Sequence, residues 1–395
     1  MILALLSLAP IHSTNLLLNG DVSPVESPLP YWFDTDFTVS YSMIPTNDQL
    51  WDQEAVKRYI RLYTPRNWEA MRDFDALFHV ESDFSVFPPK ALDLFRRATE
   101  EGIAAICSPP FDAPYTYSWV NSFISEISPH DLSVSGDLEN LLVDSGPWSI
   151  RVTGNDVPLL SMFEAYGIEG AKGTSHIPLY PKPGTTTWAT MVGAQDPGGR
   201  DRPPFLISWP WEEGMVWVVT QDYDRDWWGV RSGLSGWDRT ENPVSPDIVL
   251  NIIFHSVGRE LPEDISVVHN IREEYRIMSD ERDSLYSVFE FVQRFGANTD
   301  RLENTMDEIA ALEQEAQQSY NEGDYQESLE GFSRARDRYR ELANRAIELK
   351  DEALLWVYVI EWSTVLATSM ICGSVLYQLM VRRRLYRETA TTRSR

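Results

Sequence analysis

The feature that most constrains this chain is a stretch of twenty uncharged residues near its C-terminus, residues 362–381. As a helix rising about 1.5 Å per residue, this stretch can cross the roughly 30 Å hydrocarbon core of a bilayer. Its first residue is Trp362 and its last is Val381. Three arginines follow directly: Arg382, Arg383 and Arg384. Interfacial aromatic side chains and a flanking arginine cluster are typical of a membrane span. We therefore predict a transmembrane helix over residues 353–381 rather than a buried core helix.

The arginine-rich tail, residues 382–395, also predicts an orientation. Positively charged flanks stay on the cytoplasmic side of a membrane, so everything before the span is expected outside. At the other end, residues 1–18 begin with an apolar segment that suggests a short signal peptide, although no Lys or Arg precedes it. A first buried strand is the alternative interpretation. Residues 19–30 are rich in proline and lack apolar periodicity, which predicts a linker.

Between these ends, residues 31–262 alternate short apolar runs with amphipathic stretches. This alternation predicts an α/β domain built on a mostly parallel sheet. One predicted helix begins at a proline and ends just before Gly102, the asymmetry expected of helix termini. The predicted strands are 37–44, 75–80 and 103–106, and the predicted helices are 54–61, 67–72, 89–101 and 246–257, with a hairpin over 205–220.

The pattern changes after this domain, because residues 263–352 carry almost no strand signals and many Glu, Arg, Ala and Leu residues. Such composition predicts long helices. Residues 316–335 have the helix–Gly–Asp–Tyr–helix pattern of one tetratricopeptide unit, but one unit cannot bury a solenoid core. We therefore predict a helical-hairpin or coiled-coil stalk rather than a peptide-binding groove. Its second helix is expected to run unbroken from Tyr325 to the membrane. A homo-oligomer, or a contact with an envelope protein, would form through this stalk.

Charge and cysteine content exclude several classes of partner. The chain contains 60 Asp and Glu residues against 34 Lys and Arg residues, a formal net charge of −26. Binding of nucleic acid requires a basic face to neutralise phosphates, so no nucleic-acid partner is expected. Two cysteines, Cys107 and Cys372, are too few for a disulfide scaffold or a thiolate zinc site. We predict neither a metal nor a cofactor.

The order of strand 75–80, loop, helix 89–101, Gly102, strand 103–106 and Cys107 resembles the class I glutamine amidotransferase-like family. The later hairpin and closing helix are similar to elements of uncharacterised members of that family. The resemblance covers about residues 37–261 and implies a flavodoxin-like, mostly parallel sheet. In the family, a buried strand delivers a nucleophilic cysteine at a sharp turn, and Cys107 stands at the matching position.

The catalytic apparatus that the resemblance implies is incomplete in this chain. A thiol nucleophile needs a base and hydrogen-bond donors for the oxyanion. Ala105 and Pro109 replace the two glycines of the family's turn, and no histidine follows the late strand where the family has one. His79 and His176 are then the candidate bases for Cys107. We favour a buried structural thiol over an active nucleophile, since free cysteine often acts as a small apolar residue.

Ligands of open α/β sheets bind at the carboxyl ends of the strands. The predicted pocket is lined there by Glu81, Ser108, Phe111, Asp222 and Asp224. The sequence thus predicts a single-pass protein of the cell membrane with its N-terminal domain outside and its tail in the cytoplasm. Its amidotransferase-like domain would bind a ligand or take part in envelope assembly without catalysis. The alternative is a cell-surface cysteine hydrolase or amidase with Cys107 as the nucleophile.

Overall fold

A computed structural model gives the fold of the chain in two compact units. The first unit contains Met1–Arg276 and Gln317–Leu329, and the second contains Ile277–Ala316 and Glu330–Arg395. The structure describes residues 13–22, 27–46, 52–111, 113–132, 142–221, 223, 226–228, 230–231, 238–239, 242–294 and 300–392.

A nine-stranded sheet forms the centre of the first unit. Its strands in chain order are β1 (Thr14–Gly20), β2 (Val39–Pro45), β3 (Ala76–Val80), β4 (Ala104–Ser108), β5 (Val143–Val152), β6 (Gly173–His176), β7 (Thr186–Val192), β8 (Pro204–Trp211) and β9 (Gly214–Val219). Their spatial order is β2-β1-β3-β4-β9-β8-β7-β5-β6. The first five strands in this order are parallel, and each later strand is antiparallel to its neighbour. A separate ribbon pairs β10 (Val230–Arg231) with β11 (Asp238–Arg239).

Helices connect the strands and then continue into the second unit. They are α1 (Leu29–Asp34), α2 (Gln53–Tyr63), α3 (Trp68–Met71), α4 (Pro89–Glu100), α5 (Ala113–Val120), α6 (Ile124–Ile127), α7 (Ser245–Ser256), α8 (Ile265–Arg294), α9 (Asp300–Glu322) and α10 (Tyr325–Thr392). Local chemistry fixes several of their ends. The Asp52 carboxylate accepts a hydrogen bond from the backbone N–H of Ala55 at 2.8 Å and caps α2. Gly102, with a φ of +105°, follows the C-terminal end of α4.

The predicted α/β class and its parallel strands are confirmed, and the predicted hairpin and the helices predicted before and after it are present. Because side chains alternate across a sheet, one face of the parallel strands presents Leu77, Ala105 and Val218 to the same apolar cluster. Phe95 on α4 and Trp119 on α5 complete this cluster, and all five side chains are fully buried. The antiparallel strands β5, β6 and β7 extend the sheet beyond the predicted hairpin.

The structure differs from the expected leader and linker over residues 14–20 and 29–30. Residues 14–20 form β1, which is hydrogen-bonded to β2 on one side and β3 on the other. Three consecutive leucines, residues 16–18, are fully buried there, as expected of a parallel strand covered on both faces. The predicted linker contributes its first two residues to β1 and its last two to α1. Residues 1–12 lie outside the described part of the chain, so a leader there stays a prediction.

The second unit is helical, as the composition predicts. Along α10 the buried side chains Phe332, Ala335, Tyr339, Leu342 and Ala346 recur at alternating spacings of three and four residues. This spacing is that of a coiled-coil seam and confirms a packed helical segment. The helix runs without a break for 68 residues. By length and composition its stretch Tyr325–Arg384 can cross a membrane, and none of the most apolar part is buried.

A network of buried charges joins distant parts of the first unit. Arg272 on α8 is fully buried and donates a hydrogen bond to Asp247 on α7 at 2.8 Å. Asp36 lies 4.0 Å from the same guanidinium, and His269 donates to Asp247 at 2.7 Å. Burial alone would raise the pKa of Asp247, but His269 and the nearby guanidinium groups hold it well below its usual range.

Replacing Arg272 with Met should destabilise the protein strongly, because it leaves the Asp247 and Asp36 carboxylates buried without their cation. We expect a loss of about 3–5 kcal/mol. Urea unfolding of the full chain in detergent micelles, followed by tryptophan fluorescence, measures this loss. The matched control is Arg338→Met, which removes an exposed ion pair with Glu341 and should cost less than about 1 kcal/mol. Equal losses for the two variants would contradict the assignment.

Candidate functional site

The candidate site lies where the parallel strands end, at the point where the chain order reverses. The connection after β1 leads to β2 on one side, and the chain then enters β3 on the other side. This reversal is where open α/β sheets usually bind ligands. The two strand ends approach closely, because the backbone N–H of Asp21 donates to the carbonyl of Val80 at 2.7 Å. Gly20 has a φ of +116°, and a Cβ atom added to it would overlap the Val80 carbonyl oxygen.

Three buried polar side chains meet at this reversal point. The Oδ1 atom of Asn19 lies 3.0 Å from Nδ1 of His79 and accepts a hydrogen bond from the Ser82 hydroxyl at 2.6 Å. Phe84, Phe95 and Phe123 surround the imidazole, with ring centroids 5.3, 5.7 and 6.0 Å away. Burial lowers the pKa of His79 to about 3, so the ring is neutral at physiological pH.

Such a histidine is poorly suited to act as a general base. An efficient base has a pKa near the operating pH, and that of His79 lies well below it. Its Nε2 atom has no hydrogen-bond partner among the described residues and sits in an aromatic environment. The hydrogen bond to Asn19 instead fixes the orientation of the ring. His79 is thus positioned as a packed core residue.

The predicted nucleophile, Cys107, lies on β4 directly beside His79 on β3 in the register of the sheet. Its side chain is fully buried within the apolar cluster that also contains Trp119, Leu132 and Leu179. Burial raises the pKa of the thiol well above its usual value. Because the thiolate is the reactive form, this environment keeps Cys107 in its inert state.

The second candidate base, His176, ends β6 at the edge of the sheet. In spatial order, four strands separate β6 from β4, which carries Cys107. The imidazole is fully buried and lies edge-on to Trp148, with ring centroids 6.4 Å apart. The next residue, Ile177, donates its backbone N–H to Thr220 at the end of β9 at 2.8 Å. His176 is therefore a buried residue that packs against an aromatic side chain.

The predicted pocket residues have different locations. Glu81 and Ser108 are brought together, since the backbone N–H of Glu81 donates to the Ser108 carbonyl at 2.9 Å. Both are buried, and the φ of Glu81 is +48°, in the left-handed region that favours glycine. Phe111 lies in the short loop between β4 and α5 and is partly buried. Asp222 and Asp224 lie outside the described residues.

Sequence reasoning missed Asn19, because it assigned this residue to a linker. The signal that points to it is an unbroken leucine run followed by Asn-Gly, which is typical of a buried strand and the turn that ends it. Among the described residues no group of three or more His, Cys, Asp or Glu side chains is placed to hold a metal ion. Asn19, His79 and Ser82 form a buried polar cluster with three phenylalanine rings around the imidazole.

The chain has similar solved structures but no matching family. The chain matches no family model and no curated protein. Among solved structures it is similar to cytoplasmic protein STM1381 from Salmonella typhimurium LT2, with 14% identity and a TM-score of 0.45 over 62% of this chain and 99% of that chain. It is also similar to cytoplasmic protein STM3548 from Salmonella typhimurium, with 11% identity and a TM-score of 0.43 over 61% and 98%.

Replacing Gly20 with Ala should prevent the close approach of β1 and β3. The added Cβ would collide with the Val80 carbonyl, and an L side chain is strained at a φ of +116°. We expect a loss of at least about 3 kcal/mol, measured by urea unfolding. Gly154→Ala is the control, since a Cβ there meets no atom within 4 Å. Similar stabilities of the two variants would show that the strand ends do not depend on this contact.

Proposed function

We propose that this chain is a single-pass membrane-anchored protein whose extracytoplasmic α/β domain binds a partner without covalent chemistry. The observation that carries this proposal is the environment of Cys107, which is fully buried, belongs to the main apolar cluster and is held as a thiol by a raised pKa. Its neighbour His79 is enclosed by aromatic rings and has a strongly lowered pKa. Neither side chain has the environment that an activated nucleophile and its base require.

The topology of the sheet supports a flavodoxin-like assignment within this proposal. Strands β2, β1, β3, β4 and β9 are parallel and adjacent in that order. If β9 is counted as the fifth parallel strand, this is the strand order 2-1-3-4-5 of flavodoxin-like sheets. The same order agrees with the resemblance to class I glutamine amidotransferase-like domains. On this interpretation the domain keeps the family's scaffold and has lost its catalytic machinery.

The exposed surface of α10 supports the membrane anchor. Large apolar side chains follow one another along the predicted span, and Met370, Ile371 and Tyr377 are each at least 65% exposed. An exposed apolar surface of this extent is typical of contact with lipid or another protein. The cluster Arg382, Arg383 and Arg384 directly after the span favours a cytoplasmic location for the tail.

The alternative function, a cysteine hydrolase, depends on a reactive Cys107 and is tested by thiol labelling. We use the full chain carrying Cys372→Ser in detergent micelles, so that Cys107 is the only thiol. Because the thiol is buried and its pKa is raised, labelling between about pH 5 and 9 should be slow at every pH and become stoichiometric only in denaturant. Rapid labelling with an apparent pKa well below about 8.5 would overturn the non-catalytic proposal.

The anchor is tested by deleting residues 353–395, which removes the span and the basic tail. We expect the shortened chain in the soluble fraction after carbonate extraction, because the apolar surface that holds it in lipid is gone. The control ends after Arg384 and keeps the span, and it should stay with the membranes. Retention of the shorter chain in the membrane fraction would place the anchor elsewhere.

A further inference from the structure

An open groove lies on the surface of the α/β domain between α2 and the start of α4. Its volume is about 660 Å³. Twelve residues line it: Lys57, Ile60, Arg61, Thr64, Pro65, Arg66, Val86, Phe87, Pro88, Lys90, Ala91 and Leu94. Neither Cys107 nor His79 is among them. The groove is therefore separate from the strand-end cluster described above.

The charge of the groove is opposite to that of the chain. Acidic residues outnumber basic ones by 60 to 34 in the whole sequence, yet four basic and no acidic side chains line the groove. All four are exposed. Lys57 pairs with Glu54 at 2.9 Å, whereas Arg61, Arg66 and Lys90 form no ion pair within the described part of the chain. The groove thus presents three uncompensated cations on an acidic protein.

The floor of the groove is apolar and firmly packed. Ile60, Phe87, Ala91 and Leu94 belong to the main core cluster and are almost completely buried, so the floor is anchored to the sheet. Val86 stands at the rim and is 36% exposed. An apolar floor between basic rims suits a ligand that is itself apolar on one face and acidic at its edges.

The helical geometry of the walls favours an elongated occupant. On α2 and the residue after it, Lys57, Ile60, Arg61 and Thr64 follow the i, i+3, i+4, i+7 spacing of one helix face. The opposite wall is the first two turns of α4, which begins after Pro88 without a side-chain cap. The positive end of the α4 dipole therefore reinforces the basic rim. Both helices pack against the same apolar cluster, and a groove bounded by two helices can accept a third, amphipathic helix.

We propose that this groove docks an acidic amphipathic helix of a partner protein. Apolar side chains of that helix would cover Ile60, Ala91 and Leu94, while flanking Asp or Glu side chains would pair with Arg61, Arg66 and Lys90. The net charge of the chain repels an acidic partner elsewhere, so the groove also directs where it binds. This inference deepens the proposed binding function by giving it a surface and a partner class.

The test selects peptides of about 16 residues, long enough to form a helix, from a random displayed library on the full chain in detergent micelles. We expect enrichment of sequences with apolar residues at i, i+3, i+4 and i+7 beside Asp or Glu. Dissociation constants of the synthesised peptides are then measured by fluorescence anisotropy. The triple variant Arg61→Glu, Arg66→Glu, Lys90→Glu should weaken binding by about tenfold or more, and about 0.5 M salt should weaken binding to the unaltered chain.

A matched triple variant controls for net charge. Arg58→Glu, Arg72→Glu and Lys172→Glu change three exposed basic residues outside the groove, and should alter binding by less than about threefold. Equal weakening by the two triple variants, no enriched peptide, or enrichment of non-acidic peptides would each overturn the proposal. Binding of dodecanoate without any peptide would replace it with a small-molecule site.

Labelling of Cys107 in the same preparation separates this proposal from the proposed function. If Cys107 is inert and no peptide binds, the docking proposal is wrong and the non-catalytic proposal stands. If Cys107 is labelled rapidly, the non-catalytic proposal is wrong, whether or not the groove binds a peptide.

Discussion

A fully buried guanidinium links the segments of the first unit that are most distant in the sequence. Arg272 on α8 contacts Asp247 on α7, lies near Asp36 between α1 and β2, and donates to the Tyr320 hydroxyl on α9 at 3.4 Å. A buried charge is tolerated only where such partners compensate it. The edge-on packing of Phe37 against Tyr320, with centroids 5.0 Å apart, adds an apolar contact beside it. These contacts explain why residues 317–329 belong to the first unit, although most of α9 does not.

The two polar features of this unit differ in their exposure to water. At the strand ends, Asn19, His79 and Ser82 are withdrawn from water, and burial holds the histidine neutral. In the α2–α4 groove, the basic side chains Arg61 and Lys90 are exposed to water. A closed, neutral cluster favours structural order, whereas an open, charged groove over an apolar floor favours recognition. The buried strand-end cluster and the exposed groove are therefore different parts of the same domain.

Patterns confined to one segment could be predicted from the sequence, and long-range contacts could not. Helix α4 and strand β4 were predictable because Pro89, Gly102 and an apolar run mark their ends. A buried N-terminal strand was only the alternative interpretation, because a strand buried on both faces is as apolar as a signal-peptide core. At the candidate site, the adjacency of Glu81 and Ser108 followed from their strand ends. The groove was not predictable, because its lining comes from two helices that are separated in the sequence by β3 and meet at one surface only in the fold.

The unbroken length of α10 has a mechanical consequence for the second unit. No glycine or proline lies between residues 332 and 369, so the helix has no built-in hinge between its buried seam and the start of the predicted span. Each residue turns a helix by about 100°. The number of residues between two side chains therefore fixes the angle between them about the helix axis. The exposed apolar side of the predicted span and the packed side of the seam are therefore held at a fixed angle to each other about the helix axis. A rotation of the predicted span about the helix axis would therefore also rotate the seam.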